Sequence, residues 1–459
     1  MQSPSPSPLL PLSPSAPKAP GPPDYYLLKN LRRAARDPVG FYTRGWKSYG
    51  DIVRFHWRGP FSAYLCVHPH MVERVLQANW TNYPKGFFYK RLSIFTGNGL
   101  FTSAGELWLK QRRLAQPAFH RAKIAGLAGV MAQTVGEMLD DWDAHPTKEP
   151  FDLAEEMMRL ALQIAGRALF GTDLKGEARE FHHLMNVSML HIERRFNPLT
   201  LPESVPTPQN RRFLKAKREL DAWILGVATQ RRQNGEKHDD LLQMLLDARD
   251  EETGEAMSDR QLADEVLTLL VAGHETTADA LAWGFSLLAR NPEARDELES
   301  EAKVLNGAAP EFDDLARLPY AKMVFEEAMR LYPPIWALSR EAKEDDVIGG
   351  YLVPARSTVM VLPFLTHRHP DFWDEPERFD PQRFTPEKVA ARPKFAYFPF
   401  GGGPRLCLGQ SFAWMEGQIA LAMIASRYRL ELAPNQTLEM HPSLALRPKG
   451  GLWMTRRRI

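Results

Sequence analysis

From about residue 104 to 330, apolar positions recur at helical spacing; outside that stretch the pattern shortens and breaks. The clearest run begins at Ser258. Ser258 and Gln261 form an S-x-x-Q capping pattern, in which the cap hydroxyl satisfies an amide of the first helical turn. Leu262, Val266, Leu269, Leu270 and Gly273 then trace one stripe of a helix. The stripe runs to about Arg290, where Asn291-Pro292 ends it. The spacing predicts a helix of roughly 32 residues, about 48 Å long at ~1.5 Å per residue, enough to cross a whole domain. Further helices are predicted over 211–231 and 411–428. Two short apolar runs, 52–57 and 63–67, flank Arg58-Gly59-Pro60 and predict a strand pair. The proline-rich stretch 198–208 and the acidic, glycine-containing stretch 247–255 are read as loops. Beyond Tyr332 the chain becomes proline-rich, with short apolar runs such as 358–364. The sum is a mainly α fold with a small β portion.

Composition narrows the function classes. The chain has 459 residues, 44% of them hydrophobic and 25% charged, ample material for a large core. A net charge of +2 gives no field that would favour nucleic acid or an anionic membrane. Two cysteines, Cys66 and Cys407, exclude a disulfide framework and fit a reducing compartment. Cys66 sits in the apolar run Ala63-Tyr64-Leu65-Cys66-Val67 and is read as a core strand residue. No segment has the ~20 apolar residues that span a bilayer. Residues 1–23 are mostly Pro and Ser and lack the features of a signal peptide, so a disordered tail is expected there. The remainder, 24–459, carries no repeat or long linker and is read as one catalytic domain. A soluble, cytoplasmic protein follows from these features.

Chemistry concentrates near the C-terminus. The segment Phe400-Gly401-Gly402-Gly403-Pro404-Arg405-Leu406-Cys407-Leu408-Gly409 joins flexible backbone, one cation and one thiol. Glycines permit close approach to a flat ligand. Amides around a sulfur, with a helix starting just after it, favour the thiolate. A second feature lies inside the long helix: Ala272-Gly273-His274-Glu275-Thr276-Thr277. A mid-helix glycine costs ~1 kcal/mol against alanine, so Gly273 suggests close approach of something bulky. An acid beside a hydroxyl suits proton delivery.

The first segment matches F-x-x-G-x-R-x-C-x-G in full and resembles the haem-binding loop of cytochromes P450. The second resembles the family's A-G-x-[DE]-T motif. The resemblance spans nearly all of the chain from about Asp24 and implies a P450 fold with one long central helix over a haem b. It implies Cys407 as iron ligand, Arg405 on a propionate and Phe400 near the thiolate. It assigns Thr276 to oxygen activation and Glu275 to proton delivery. Trp108 and Arg112, one helical turn apart in a W-x-x-x-R pattern, and Arg340, after the Tyr332-Pro333-Pro334 turn, are implied propionate contacts. Glu327 and Arg330 match the family's E-x-x-R, a structural lock closed by Arg383. Gln382 departs from the usual acid there, and Arg378 offers a near-duplicate frame. Phe95, Ala272, Ile335, Trp336 and Leu338, with Ala337 and Leu444, are the implied pocket for a hydrophobic substrate: a fatty acid, terpenoid or carotenoid. No fused reductase motif is present, so electrons are expected from NAD(P)H through a separate ferredoxin or flavodoxin and its reductase, docking near Lys110, Arg113, Arg392 and Lys394. The function implied is insertion of one atom of O2 into that substrate. A peroxide-driven peroxygenase or isomerase on the same fold, and a non-catalytic haem protein, are the alternatives. Retention of both Glu275 and Thr276 speaks against each.

Overall fold

Residues 16–23, 30, 33–56, 62–145, 149–171, 178–195, 200–234, 238, 240–250 and 252–459 are described by the computed structural model. The first two predicted strands form as Ile52–His56 and Ser62–Cys66, antiparallel, with Ile52 opposite Cys66. The turn between them lies outside the described residues. Ser62–Cys66 takes its second neighbour from far along the chain: Thr358–Val361 runs parallel to it, Leu65 opposite Met360. Leu338–Glu341 then pairs antiparallel with Thr358–Val361. Cys66 is fully buried in this sheet, and burial alone pushes its thiol up to about 12.

The chain divides into two compact units. The first, here the sheet unit, comprises Met1–Gly86, Arg330–Arg378 and Thr385–Cys407; the second, the helical unit, comprises Phe87–Met329, Phe379–Phe384 and Leu408–Ile459. The sheet unit corrects the reading of the N-terminal tail. Composition predicts disorder through residue 23, yet residues 16–23 bond to the strand Ile52–His56 and to a strand of a second, two-stranded sheet, Tyr351–Val353. The Leu352 amide donates to the Pro17 carbonyl at 3.0 Å and the Arg54 amide to the Pro20 carbonyl at 2.8 Å. Ala19 between them is 4% exposed. Prolines cannot donate, but their carbonyls accept, so a proline-rich strip still serves one side of a sheet edge. Residues 1–15 lie outside the described residues.

In the helical unit the long helix spans Asp259–Arg290, 32 residues, with the Ser258 side chain accepting from the Gln261 amide at 3.2 Å and Asn291 closing it. Almost every turn of it is buried, against helices Leu153–Phe170 and Gln410–Arg427 among others. The predicted helix at 211–231 extends to Pro208–Asn234. Asp152 starts the Leu153–Phe170 helix by accepting from the Ala154 amide at 3.0 Å. Two strands, Tyr428–Leu432 and Trp453–Arg458, pair antiparallel, and a smaller pair, Met440–Pro442 with Leu446–Pro448, packs on the long helix. Among the described residues, no helix is long and apolar enough to cross a membrane.

Candidate active site

In the sheet unit the cysteine loop is shaped by backbone contacts. The Gly401 amide donates to the Phe398 carbonyl at 2.9 Å, the Leu406 amide to Gly403 at 3.1 Å, and the Cys407 amide to Phe400 at 3.0 Å. Gly403 has φ +65°, and a Cβ there would sit 1.9 Å from the Leu76 carbonyl oxygen, so only glycine fits. His367 anchors the loop's entry, its Nε2 accepting from the Phe398 amide at 2.9 Å. These bonds fold the chain back on itself and leave Leu406 and Cys407 exposed and Arg405 half-buried. The helix Gln410–Arg427 begins three residues after Cys407, capped by Gly409.

A cation cluster stands in the same unit. Arg340, on strand Leu338–Glu341, is buried. Burial pushes the Lys85 ammonium well below the ordinary lysine value, and the guanidiniums of Arg405 and Arg340 push it the same way. Three like charges gathered at one place repel, and the arrangement suits a ligand carrying carboxylates. Lys85 was not singled out from sequence: a lone lysine beside Pro84 and Gly86 carries no motif. Ile335, Trp336, Ala337 and Leu338 are half-buried on the approach to the Leu338–Glu341 strand.

In the helical unit, the middle of the long helix has two different sides. Ala272 is exposed and Gly273 and Thr276 half-buried, an interruption in an otherwise buried rod. Among the described residues, apart from its chain neighbours and the helix's own backbone, no heavy atom lies within 4 Å of where a Gly273 Cβ would stand. The Thr276 hydroxyl donates to the Ala272 carbonyl at 2.7 Å, the local back-bond open to a helical threonine. On the other side, Glu275 is 6% exposed and Asp279, one turn on, is 3% exposed. Burial pushes the Glu275 carboxyl up to about 7, against the pull of Arg447 and with a further push from Glu193. Asp279 is driven well above the ordinary aspartate value by burial and by Glu275, with Arg447 opposing. A buried acid with a raised pKa can hold a proton near neutral pH and give it up.

Comparison with known proteins agrees with this chemistry. The family described as Cytochrome P450 matches residues 19–454. The chain belongs to the cytochrome P450 family. Cyclooctatin synthase of Streptomyces melanosporofaciens is 38% identical over 417 residues, covering 90% of each chain. Cyclooctat-9-en-7-ol 5-monooxygenase of the same organism is 36% identical over 417 residues, 90% of this chain and 89% of that one. The crystal structure of the cytochrome P450DA heme domain superposes with a TM-score of 0.87 at 27% identity, covering 96% of this chain and 98% of that one. This P450 is thus a monooxygenase with the family's fold, mainly helical with small sheets.

Within this P450 the E-x-x-R segment does two separate tasks. Glu327 and Arg330 are both fully buried. Glu327 Oε1 accepts from the Asp380 amide at 2.9 Å and lies 3.4 Å from Arg383 Nε, inside the helical unit. Arg330 donates to the carbonyls of His367 at 3.0 Å, Pro376 at 2.7 Å and Arg378 at 3.0 Å, inside the sheet unit. Arg378, the competing frame, pairs instead with Glu375 at 2.9 Å on the surface. Gln382 donates its side-chain amide to Glu297 at 3.0 Å on the surface.

Other readings shift. Phe95, assigned to the pocket, is 1% exposed and packs edge-on against Phe213 in the helical core, ring centres 6.3 Å apart. Its apolar neighbours close over it. Trp108 is buried and Arg112 half-buried, on the helix Gly105–Ala115, as the one-turn spacing implies. Lys110 and Arg113 do not stand as open docking charges. Lys110 pairs with Glu255 at 2.7 Å, and Arg113 with Asp250 at 3.1 Å and Glu252 at 3.0 Å, so the acidic loop neutralises them. In the sheet unit, Arg392 lies over the Trp373 ring at 3.8 Å and Lys394 donates to Gln77 at 3.0 Å. Sequence also missed a clasp in the helical unit. Asp264 accepts from the Asn98 amide at 2.8 Å and Glu265 from the Leu100 amide at 2.9 Å. The signal was present in Gly97, which has φ +61° and lies directly against the Asp264 carboxylate.

Proposed function

We propose that this P450 inserts one atom of O2 into an apolar, ring-built terpenoid, with haem b held by the Cys407 thiolate. The observation that carries this reading is the loop itself: its backbone bonds and the Gly403 close approach present an exposed Cys407 with Arg405 two residues before it. The residues fit the cofactor. Cys407 is a soft ligand suited to iron. Arg340, Arg405 and Lys85 of the sheet unit would bind its carboxylates, and Phe400 would pack near the sulfur. When bound, haem supplies the iron that activates oxygen, and a thiolate ligand favours O–O cleavage. Exposed Ala272 and the half-buried Thr276 give oxygen and substrate a small-residue face. The Thr276 hydroxyl, once turned from the Ala272 carbonyl, would be free to donate a hydrogen bond on that face, and Glu275 would hold a proton to replace the one given. Electrons would come from NAD(P)H through a separate ferredoxin or flavodoxin and its reductase.

For the substrate, Ile335, Trp336, Ala337 and Leu338 of the sheet unit offer apolar contact and no charge to pair with a carboxylate. A relative at 36% identity is named for a cyclic alkenol, cyclooctat-9-en-7-ol. Both favour a terpenoid over a fatty acid. The test is the carbon monoxide difference spectrum of the reduced protein, followed by spin-state titration with cyclooctat-9-en-7-ol and with lauric acid. The wild type should give the thiolate band and Cys407→Ser should lose it. A histidine-type band in folded wild type would overturn the ligand, and a shift with lauric acid alone would overturn the terpenoid.

A further inference from the structure

Residues 275, 279 and 283 follow one another at single-turn spacing along one side of the long helix. Each is buried, and two are acids: Glu275 and Asp279. The third, Trp283, donates its indole N–H to the Leu446 carbonyl at 2.8 Å and so fixes the strand Leu446–Pro448 against this side. The next residue on that strand, Arg447, acts electrostatically on both Glu275 and Asp279. Arg447 bonds Glu193, on helix Ala178–Arg195, at 2.9 Å. His441 stands opposite Arg447 in the strand pair. The Arg447 and Glu193 side chains keep 32% and 19% of their surface exposed, so the column meets solvent there. Asp279 Oδ2 is buried with no hydrogen-bond partner. An acid left unsatisfied in a helix core is costly and is not what packing alone selects. The charged groups acting on the pair are Arg447 on the strand Leu446–Pro448 and Glu193 on its helix, while helix Gln410–Arg427, also packed on the long helix, buries the acid Glu416.

We propose that Asp279 is a positioning residue for proton supply, passing protons from the solvent-facing Arg447–Glu193 pair to Glu275. The proposal rests on the reading that Glu275 serves Thr276. Oxygen insertion takes up two electrons, from the redox partner, and two protons, from water. When Glu275 gives up its proton, the Asp279 carboxyl O–H transfers its own to the Glu275 carboxylate. Asp279 is then reprotonated through a water admitted beside Arg447 and Glu193, which takes up a proton from bulk solvent as it gives one. Only O–H bonds are broken and made, and no electron moves. Burial raises both acids toward holding their protons, and the Arg447 charge opposes it.

Infrared spectra of the haem-loaded full chain at pH 7 test the first half. Asp279→Asn should lose part of the protonated-carboxyl band; an unchanged band would show Asp279 ionised and overturn the proposal. For the second half, oxygen consumption is driven by NADPH through a plant-type ferredoxin and reductase, and peroxide release and the solvent isotope effect are read. Asp279→Asn should slow the proton-dependent step about tenfold and raise peroxide yield, below the ~10²-fold expected on losing the general acid itself. Asp279→Glu should restore both. A lost band with unchanged isotope effect and peroxide would make Asp279 a structural acid and overturn the relay. Glu275→Gln separates the two readings. If it changes peroxide yield while Asp279→Asn does not, the relay alone falls. If Glu275→Gln changes nothing, the underlying reading falls with it.

Discussion

The cysteine loop and the middle of the long helix are built on opposite principles. The loop places its chemistry by backbone alone: a left-handed glycine, amides turned onto nearby carbonyls, and an exposed thiol at the end. All the parts that shape it at Cys407 lie within ten residues, apart from the Leu76 carbonyl and His367 that brace it. The helix places its chemistry by burial. Glu275 and Asp279 become proton-holding groups because the elements packed on them remove water and set charges nearby, and those charges, Glu193 and Arg447, sit far off in the chain. A reactive sulfur needs access and a fixed backbone. A poised acid needs desolvation, which no short segment supplies for itself.

That contrast can be broken experimentally, and the largest effect belongs to the loop. Cys407→Ser should abolish the thiolate spectrum and monooxygenase turnover while leaving the far-ultraviolet circular dichroism unchanged. Unfolding by the same variant would mean that the sulfur holds the loop together instead of merely being presented by it. Next comes the lock. Glu327→Ala strips the partner from Arg383 and the acceptor from the Asp380 amide, both at a fully buried position. Breaking a buried pair costs about 3–5 kcal/mol, to be read by urea denaturation. Gly403→Ala meets the Leu76 carbonyl and a φ of +65° together. It should cost about 2–4 kcal/mol and lower haem incorporation, and an unperturbed variant would show that the loop relaxes freely.

The smallest effect probes the burial principle. Burial pushes Glu265 from 4.5 to about 7, opposed by the Leu100 amide and reinforced by Asp264. The folded state therefore binds this proton more tightly than the unfolded one. The resulting stabilisation is complete below 4.5 and is lost as pH rises through about 7. Glu265→Gln should remove this dependence, giving a variant more stable than wild type by about 1–3 kcal/mol at pH 8 and little different at pH 4.5. Equal pH profiles would show that Glu265 is already ionised in the fold. Glu275 and Asp279 carry the same sign, so the variant should flatten the wild-type decline only in part.

Legibility followed the same division. The long helix was readable to the residue, because its Ser258 cap and Asn291-Pro292 stop are local signals. The strand pair at Ile52–His56 and Ser62–Cys66 was readable from its apolar runs, but its parallel neighbour Thr358–Val361 was not, since nothing in either segment names the other. Arg383 could be told from Arg378 only by seeing which one reaches Glu327. That Phe95 is buried edge-on against Phe213 was not readable from sequence, because the two residues lie far apart in the chain. Lys110 and Arg113 looked like a docking patch until the loop at Asp250–Glu255 was seen to neutralise them.

By itself, then, the sequence determined the family, the identity of the thiol loop, the central helix and the acid–alcohol pair, because each is a contiguous arrangement whose chemistry lies in neighbouring residues. Only the tertiary structure decided which side chains are buried, which charges are already paired and which acids keep a proton. Those properties depend on water removed and fields applied by residues distant in the chain, and burial is a property of the whole fold.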